Sequence, residues 1–203
     1  MIDQIMAGNA YDKYGSRNPI VRFMMSGFFR DFESLLYDVE INTIVEIGCG
    51  EGEIGKRIKH ILPDASYLGT DVSEEIIREA QLRNPFLKFN KLSIYDIPNI
   101  NLNADLIVVS EVFEHLEEPG KAMDALLHAK FNYLLISVPR EPVWRILNCV
   151  RLKYLREYGN TPGHVNHWSK TRFVRFIEIY SNTIEIEKIL SPFPWTMVLC
   201  KKK

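Results

Sequence analysis

Thr43-Ile44-Val45-Glu46-Ile47-Gly48-Cys49-Gly50-Glu51-Gly52 is the stretch that decides how this chain folds. An apolar, β-branched run ends in three glycines at alternate positions, and a helical pattern begins at once. This predicts a buried strand, a tight turn and a helix N-terminus. Glycine suits the turn because the backbone must bend sharply and let a ligand approach with no Cβ in the way. The N–H groups that open the next helix are then expected to face that ligand.

Spacing narrows the ligand. A dinucleotide fingerprint, G-x-G-x-x-G, needs its third glycine at position 53. That position is Glu53, and the third glycine is Gly52. A pyrophosphate would also meet Glu51 and Glu53 beside the helix N-terminus. A ligand with an amino group, a sulfonium and one carboxylate fits better. The pattern E-x-G-x-G-x-G resembles the first motif of the class I S-adenosylmethionine (SAM)-dependent methyltransferases.

The 203 residues, 46% of them hydrophobic, suffice for one domain with a full core. Lys plus Arg (25) nearly balances Asp plus Glu (26), so no global field points to nucleic acid or an anionic membrane. Cys49, Cys149 and Cys200 are widely spaced and form no metal or disulfide pattern, which fits a reducing compartment. No apolar run reaches membrane-spanning length and residues 1–18 lack a signal-peptide core, so a soluble cytoplasmic protein is expected.

Outward from the glycines, strand and helix alternate. Residues 1–18 read as an arm with Tyr11, Tyr14 and Arg17. Asn18-Pro19 starts a helix with Ile20, Phe23, Met24, Phe28, Phe32, Leu35 and Leu36 at helical spacing. This stripe reads as core packing, or as a lid helix over a cofactor. Beyond the loop come a helix with Ile54, Ile58 and Ile61, a strand at 66–70 and a helix capped by Ser73. Strands follow near 87–92, 104–109 and 133–138, with a helix carrying Ala122, Met123, Leu126 and Leu127 before the last. Such alternation predicts a parallel, doubly wound sheet. Ile184 to Ile186 and Trp195 to Cys200 read as a closing hairpin. The expected fold is thus α/β, a Rossmann-like seven-stranded sheet, mostly parallel, with an antiparallel C-terminal strand and an N-terminal helical extension. One domain covers 1–203, with residues 1–39 as arm and helix and 139–168 as a substrate-lid insertion. Arg140, Arg145, Arg151, Lys153 and Arg156 crowd that insertion beside Trp144, Tyr154, Tyr158 and Trp168. They read as a solvated amphipathic helix, or as a lid over an aromatic or anionic acceptor.

Asp71 lies 23 residues after Gly48, where an acid can accept both hydroxyls of a ribose, or simply cap a helix beside Ser73. Asp96 can accept from an adenine amino group, with the Ile97 N–H reading a ring nitrogen, or serve as a turn residue before Pro98. Val45-Glu46-Ile47-Gly48-Cys49-Gly50-Glu51-Gly52, Gly69-Thr70-Asp71-Val72-Ser73, Asp96-Ile97-Pro98 and Ser110-Glu111-Val112-Phe113-Glu114-His115-Leu116 together resemble class I SAM methyltransferases. The likeness is greatest to the small-molecule branch that includes ubiquinone-biosynthesis O-methyltransferases, and it spans most of 40–138. The resemblance implies an enzyme with SAM as cofactor, S-adenosylhomocysteine (SAH) as product and a small-molecule acceptor. It implies cofactor binding by Glu46, Gly48, Cys49, Gly50, Gly52, Asp71, Val72, Asp96, Ile97 and Glu111.

Glu111, Glu114 and His115 form E-x-x-E-H. One helical turn would put all three on a face, where they could hold a divalent cation with His164 or His167. Some small-RNA and quinone O-methyltransferases have a similar pattern and use Mg²⁺; many relatives carry a Glu-His pair with no metal role. The preferred reading assigns no metal. Glu111 then lines the cofactor site, His115 packs or acts as general base, and Glu114, His164 and His167 complete the catalytic candidates. The rival functions are an NAD-dependent oxidoreductase, against which the glycine register argues, a Mg-dependent RNA 2'-O-methyltransferase and a SAM-binding protein without turnover.

Overall fold

The computed structural model describes residues 15–37, 39–152 and 154–203. Tyr11, Tyr14 and Lys153 therefore lie outside the described residues. Helix α1 (Pro19–Leu36) is followed by β1 (Thr43–Ile47), α2 (Glu53–Ile61), β2 (Ser66–Asp71), α3 (Glu74–Arg83) and β3 (Lys88–Lys91). A 3₁₀ segment (Ile94–Asn99) leads to β4 (Asn103–Ser110), α4 (Pro119–His128) and β5 (Lys130–Pro139). Then come α5 (Val143–Val150), a short 3₁₀ turn (Leu155–Glu157), α6 (Lys170–Glu178), β6 (Ile184–Leu190) and β7 (Trp195–Lys202).

The seven strands lie in the order β3-β2-β1-β4-β5-β7-β6. β1 pairs in parallel with β2 and β4, β2 with β3, and β4 with β5. β7 runs antiparallel to both β5 and β6, so it is the one reversed strand. Strand β4 reads Asn-Ala-Asp-Leu-Ile-Val-Val-Ser, and Leu106 to Val109 are wholly buried, as expected of a strand covered on both faces.

One face carries α1, α2 and α3 over Ile44, Leu106, Val108 and Leu135. The other carries α4, α6 and the 3₁₀ segment over Val45, Ile107, Val109 and Ile136. In α1 the side chains of Val21, Met24, Met25, Phe28, Phe32, Leu35 and Leu36 are buried. Ile20 and Phe23, read from periodicity as inward, are 63% and 76% exposed because Val21, Met24 and Met25 carry the inward face at the start of the helix. Phe28 meets Trp195 edge-on at 5.1 Å, tying α1 to the last strand. Each such fully buried aromatic contributes roughly 1.5–3 kcal/mol over its exposed state.

Chain order reverses between β1 and β4, and the crevice in such a sheet opens at the carboxyl ends of those two strands. The glycine loop follows β1, and Glu111 to Leu116 follow β4. No helix among the described residues is long and apolar enough to cross a membrane.

Candidate active site

All three loop glycines sit in the left-handed region, with φ of 74°, 51° and 83° at Gly48, Gly50 and Gly52. A Cβ on Gly48 would stand 2.3 Å from Val112 Cγ2, so the two loops approach closely at this point. From behind, buried Asn84 donates from Nδ2 to the Glu51 carbonyl at 3.1 Å and to the Ala80 carbonyl at 3.3 Å.

The loop amides are largely spent within the protein. Gly48 and Cys49 N–H both donate to the Thr70 carbonyl, at 2.7 and 2.8 Å. Gly50 N–H donates to Asp71 Oδ2 at 3.2 Å, and Gly52 N–H to the Cys49 carbonyl at 3.0 Å. These are the amides of the loop itself; the N–H groups that open α2 begin at its N-cap, Gly52, and Glu53. A loop whose donors are used offers carbonyls and carboxylates, which suit a cation rather than a phosphate.

The electrostatics agree. Glu46, next to last in β1, has only 1% of its surface exposed, and its Oε2 accepts from the Tyr67 hydroxyl at 2.5 Å. Burial is the main cause that pushes its carboxyl up to about 8; the Tyr67 hydrogen bond opposes the shift, and nearby Asp71 adds to it. Asp71 is also raised by burial, against N–H bonds from Ser73, Gly50 and Val72. Burial raises the Cys49 thiol far above its ordinary range, with Glu46 and Asp71 adding to it. Neither Glu46 nor Asp71 is ion-paired among the described residues. Val72 is exposed at the end of β2, Asp96 is exposed on the 3₁₀ segment, and the Ile97 side chain lies in the core.

The E-x-x-E-H segment is a turn rather than a helical turn. Glu111 has a φ of 57°, which swings the chain aside, and His115 N–H donates to the Val112 carbonyl at 2.9 Å. Glu111 thus stands apart. Glu114, His115 and His164 come together, each offering one ligating atom within 4.8 Å of the others. The His115 and His164 rings meet edge-on at 4.9 Å. His115 Nδ1 lies 2.9 Å from the Gly163 carbonyl, and only a donor can satisfy that acceptor. In the neutral ring, Nε2 then carries the lone pair.

The insertion is fastened to this turn by residues the sequence reading passed over. Val165 and Asn166 N–H both donate to the Glu114 carbonyl, at 2.9 and 3.0 Å. Asn166 Nδ2 donates to the carbonyls of Phe113 at 3.1 Å and Leu116 at 2.5 Å. Asn166 sits in Pro162-Gly163-His164-Val165-Asn166-His167-Trp168, and its place between two histidines was the available signal. His167 does not join the cluster: its Nδ1 lies 3.9 Å from Glu141 Oε1. Trp168 is buried against Phe173 and Phe176 of α6. Trp144 packs on Trp195 at 5.5 Å and donates to Thr161 Oγ1 at 3.0 Å.

Residues 45–129 match a family described as a methyltransferase domain. The mitochondrial ubiquinone biosynthesis O-methyltransferase of Candida albicans is 30% identical over 89 residues, 40% of this chain and 27% of that protein. An uncharacterized methyltransferase of Schizosaccharomyces pombe is 27% identical over 100 residues, 44% of this chain and 36% of that protein. The matches thus span about a quarter to a third of these relatives. Among solved structures, the plantazolicin methyltransferase BpumL, in complex with SAH and a desmethylPZN analog, superposes with a TM-score of 0.71 at 20% identity. That match covers 92% of this chain and 87% of BpumL. The methyltransferase domain of a bacterial Hen1 gives 0.69 at 16% identity over 88% and 98%. Magnesium protoporphyrin IX methyltransferase from Synechocystis, with bound SAM, gives 0.61 at 14% over 93% and 86%. At these identities the structural likeness is one of fold.

Proposed function

We propose, since this chain belongs to the class I SAM-dependent methyltransferases, that it methylates an oxygen of a small-molecule acceptor held between the glycine loop and the Glu114–His115–His164 cluster. The observation that carries the acceptor half is this cluster, which sits just past β4, the strand beside β1 at the crevice. When bound, SAM supplies an electrophilic methyl on a sulfonium that an acceptor displaces in line.

The residues fit that cofactor. Left-handed glycines leave the backbone bare, and carbonyls with unpaired acids favour an ammonium and a sulfonium. Asp71 would hold the ribose with lone pairs beyond those used by Gly50 and Ser73. Asp96 and Ile97 would border the adenine. His115, with Nδ1 engaged at Gly163, would receive the acceptor's proton at Nε2. Glu114 would steady the resulting charge.

A second reading has the same cluster hold a divalent cation. One carboxylate and two imidazoles form a suitable partial donor set, and a ligating histidine that donates its other N–H to a backbone carbonyl is the usual orienting arrangement. A screen of hydroxylated acceptors followed by SAH release, with and without chelator, tests both readings. The absence of SAH formation across the panel, with SAM bound, would favour a binding protein.

Asp71 gives a separate prediction. Asp71→Ala should weaken SAM and SAH alike, by roughly tenfold to a hundredfold, because it removes hydrogen bonds to a charged acceptor. Calorimetry checks it. Unchanged affinity for both ligands would reduce Asp71 to a loop-and-helix cap.

A further inference from the structure

Tyr67 hydrogen-bonds Glu46 through its hydroxyl, and no motif singled it out. Its position in β2 is opposite Ile44, while Glu46 lies opposite Gly69, so the two side chains share a sheet face two residues apart. Two glycines outside the loop make room for the phenol. A Cβ on Gly55 would stand 2.3 Å from Tyr67 Cζ, and one on Gly69 would stand 2.8 Å from its hydroxyl. Phe89 closes the other side edge-on at 6.1 Å. A glycine in the middle of a strand and another in the first turns of a helix both weaken their elements unless something must come close. The phenol is what comes close here, and its hydroxyl ends on a carboxyl that is almost wholly out of water.

We propose that Tyr67 is a positioning residue for cofactor capture: its hydroxyl fixes the Glu46 carboxyl in place beneath the glycine loop, burial keeps that carboxyl uncharged in the free protein, and binding of SAM releases its proton to solvent. The proposal rests on the cofactor assignment above. A buried carboxylate with no cation beside it is costly, and the acid form avoids that cost. Among the described residues, the titratable groups that act on Glu46 are Tyr67 and Asp71 from β2 and Cys49 from the loop, none of them a cation. An incoming ammonium and sulfonium supply the missing positive charge, which makes ionisation favourable. Tyr67 donates to Oε2 before and after, so the carboxyl keeps its place while its charge changes.

The free protein carries a corresponding signature. The folded carboxyl keeps its proton to about pH 8, whereas the unfolded chain loses it near the ordinary 4.5. The folded state therefore binds more protons across that window, and stability falls as pH rises through it. Glu46→Gln should remove this fall, so the variant should melt higher than the parent at pH 8 and close to it at pH 4.5.

The experiment is calorimetry of SAM and SAH binding near pH 7 in buffers of different ionisation enthalpy, paired with infrared difference spectra. The parent should release close to one proton and lose a carboxylic-acid C=O band when SAM binds; Glu46→Gln should do neither. Tyr67→Phe keeps the ring and its packing but removes a hydrogen bond that favours the ionised carboxyl. Its SAM affinity should fall roughly tenfold at pH 7, and the deficit should shrink toward pH 9, where solvent alone ionises Glu46. Proton release by SAH as well would place the ammonium, which both ligands share, as the charge that Glu46 meets. Normal SAM binding with no proton release, or a Tyr67→Phe deficit of equal size at every pH, would overturn the proposal. Failure of the parent to bind SAM would instead overturn the cofactor assignment.

Discussion

Gly50→Val should lower SAM affinity at least about a hundredfold while shifting the melting temperature by only a few degrees. Gly50 holds a φ of 51°, and a β-branched residue in the left-handed region is a steric outlier. That conformation costs a non-glycine residue roughly 1–2 kcal/mol. The loop escapes the strain by turning φ negative, which pulls the Gly50 N–H off Asp71 Oδ2. A hydrogen bond to a charged group contributes about 1.5–3 kcal/mol, and its loss together with the displaced cradle backbone is on the scale of the roughly 2.7 kcal/mol of a hundredfold loss. The neighbouring glycines are poorer probes. A Cβ on Gly52 would meet Phe89 and Asn84 at 2.7 and 2.9 Å, so the fold would suffer along with the site. Calorimetry with SAM and a thermal melt separate the two effects. Parent-like SAM affinity in Gly50→Val would sink the glycine loop as the cofactor cradle.

What the sequence disclosed was local. Alternating periodicity, the Asn18 and Ser73 caps and the spacing of the glycines each depend on residues a few positions apart. The structure keeps those caps, with each side chain accepting a helix N–H. What escaped depends on pairing across the sheet. That the Thr70 carbonyl consumes the Gly48 and Cys49 amides follows from β1–β2 register and has no signature in either segment. Tyr67 has no signature within its own strand, because the close approach of Gly55 to it comes from a different element. Trp168, which the sequence offered as a lid aromatic, is buried beside α6 because that helix turns Phe173 and Phe176 toward it. The two late histidines were equivalent on paper. Only the hydrogen bonds from Val165 and Asn166 to the Glu114 carbonyl select His164 and leave His167 with Glu141.

His115→Ala should reduce turnover of a hydroxyl acceptor by about 10²–10⁴-fold, the usual range for a general acid–base group, with SAM affinity unchanged. The separation is expected because the His115 ring is held by the Gly163 carbonyl and faces His164, on the β4 side of the crevice. The same variant divides the two uses of the cluster. If His115 is a base, chelator leaves the parent's rate intact, and Glu114→Gln and His164→Ala do no more than modulate it. If the cluster is a cation site, chelator removes the parent's activity. Mn²⁺ titration should then show one site whose affinity falls roughly tenfold to a hundredfold in each of Glu114→Gln, His115→Ala and His164→Ala. His167→Ala is the control in both cases, since that ring pairs with Glu141 outside the cluster. A rate unaffected by His115→Ala, with chelator also inert, would remove the cluster from catalysis. Methyl transfer would then rest on alignment alone, which suffices when the acceptor atom carries no proton to lose.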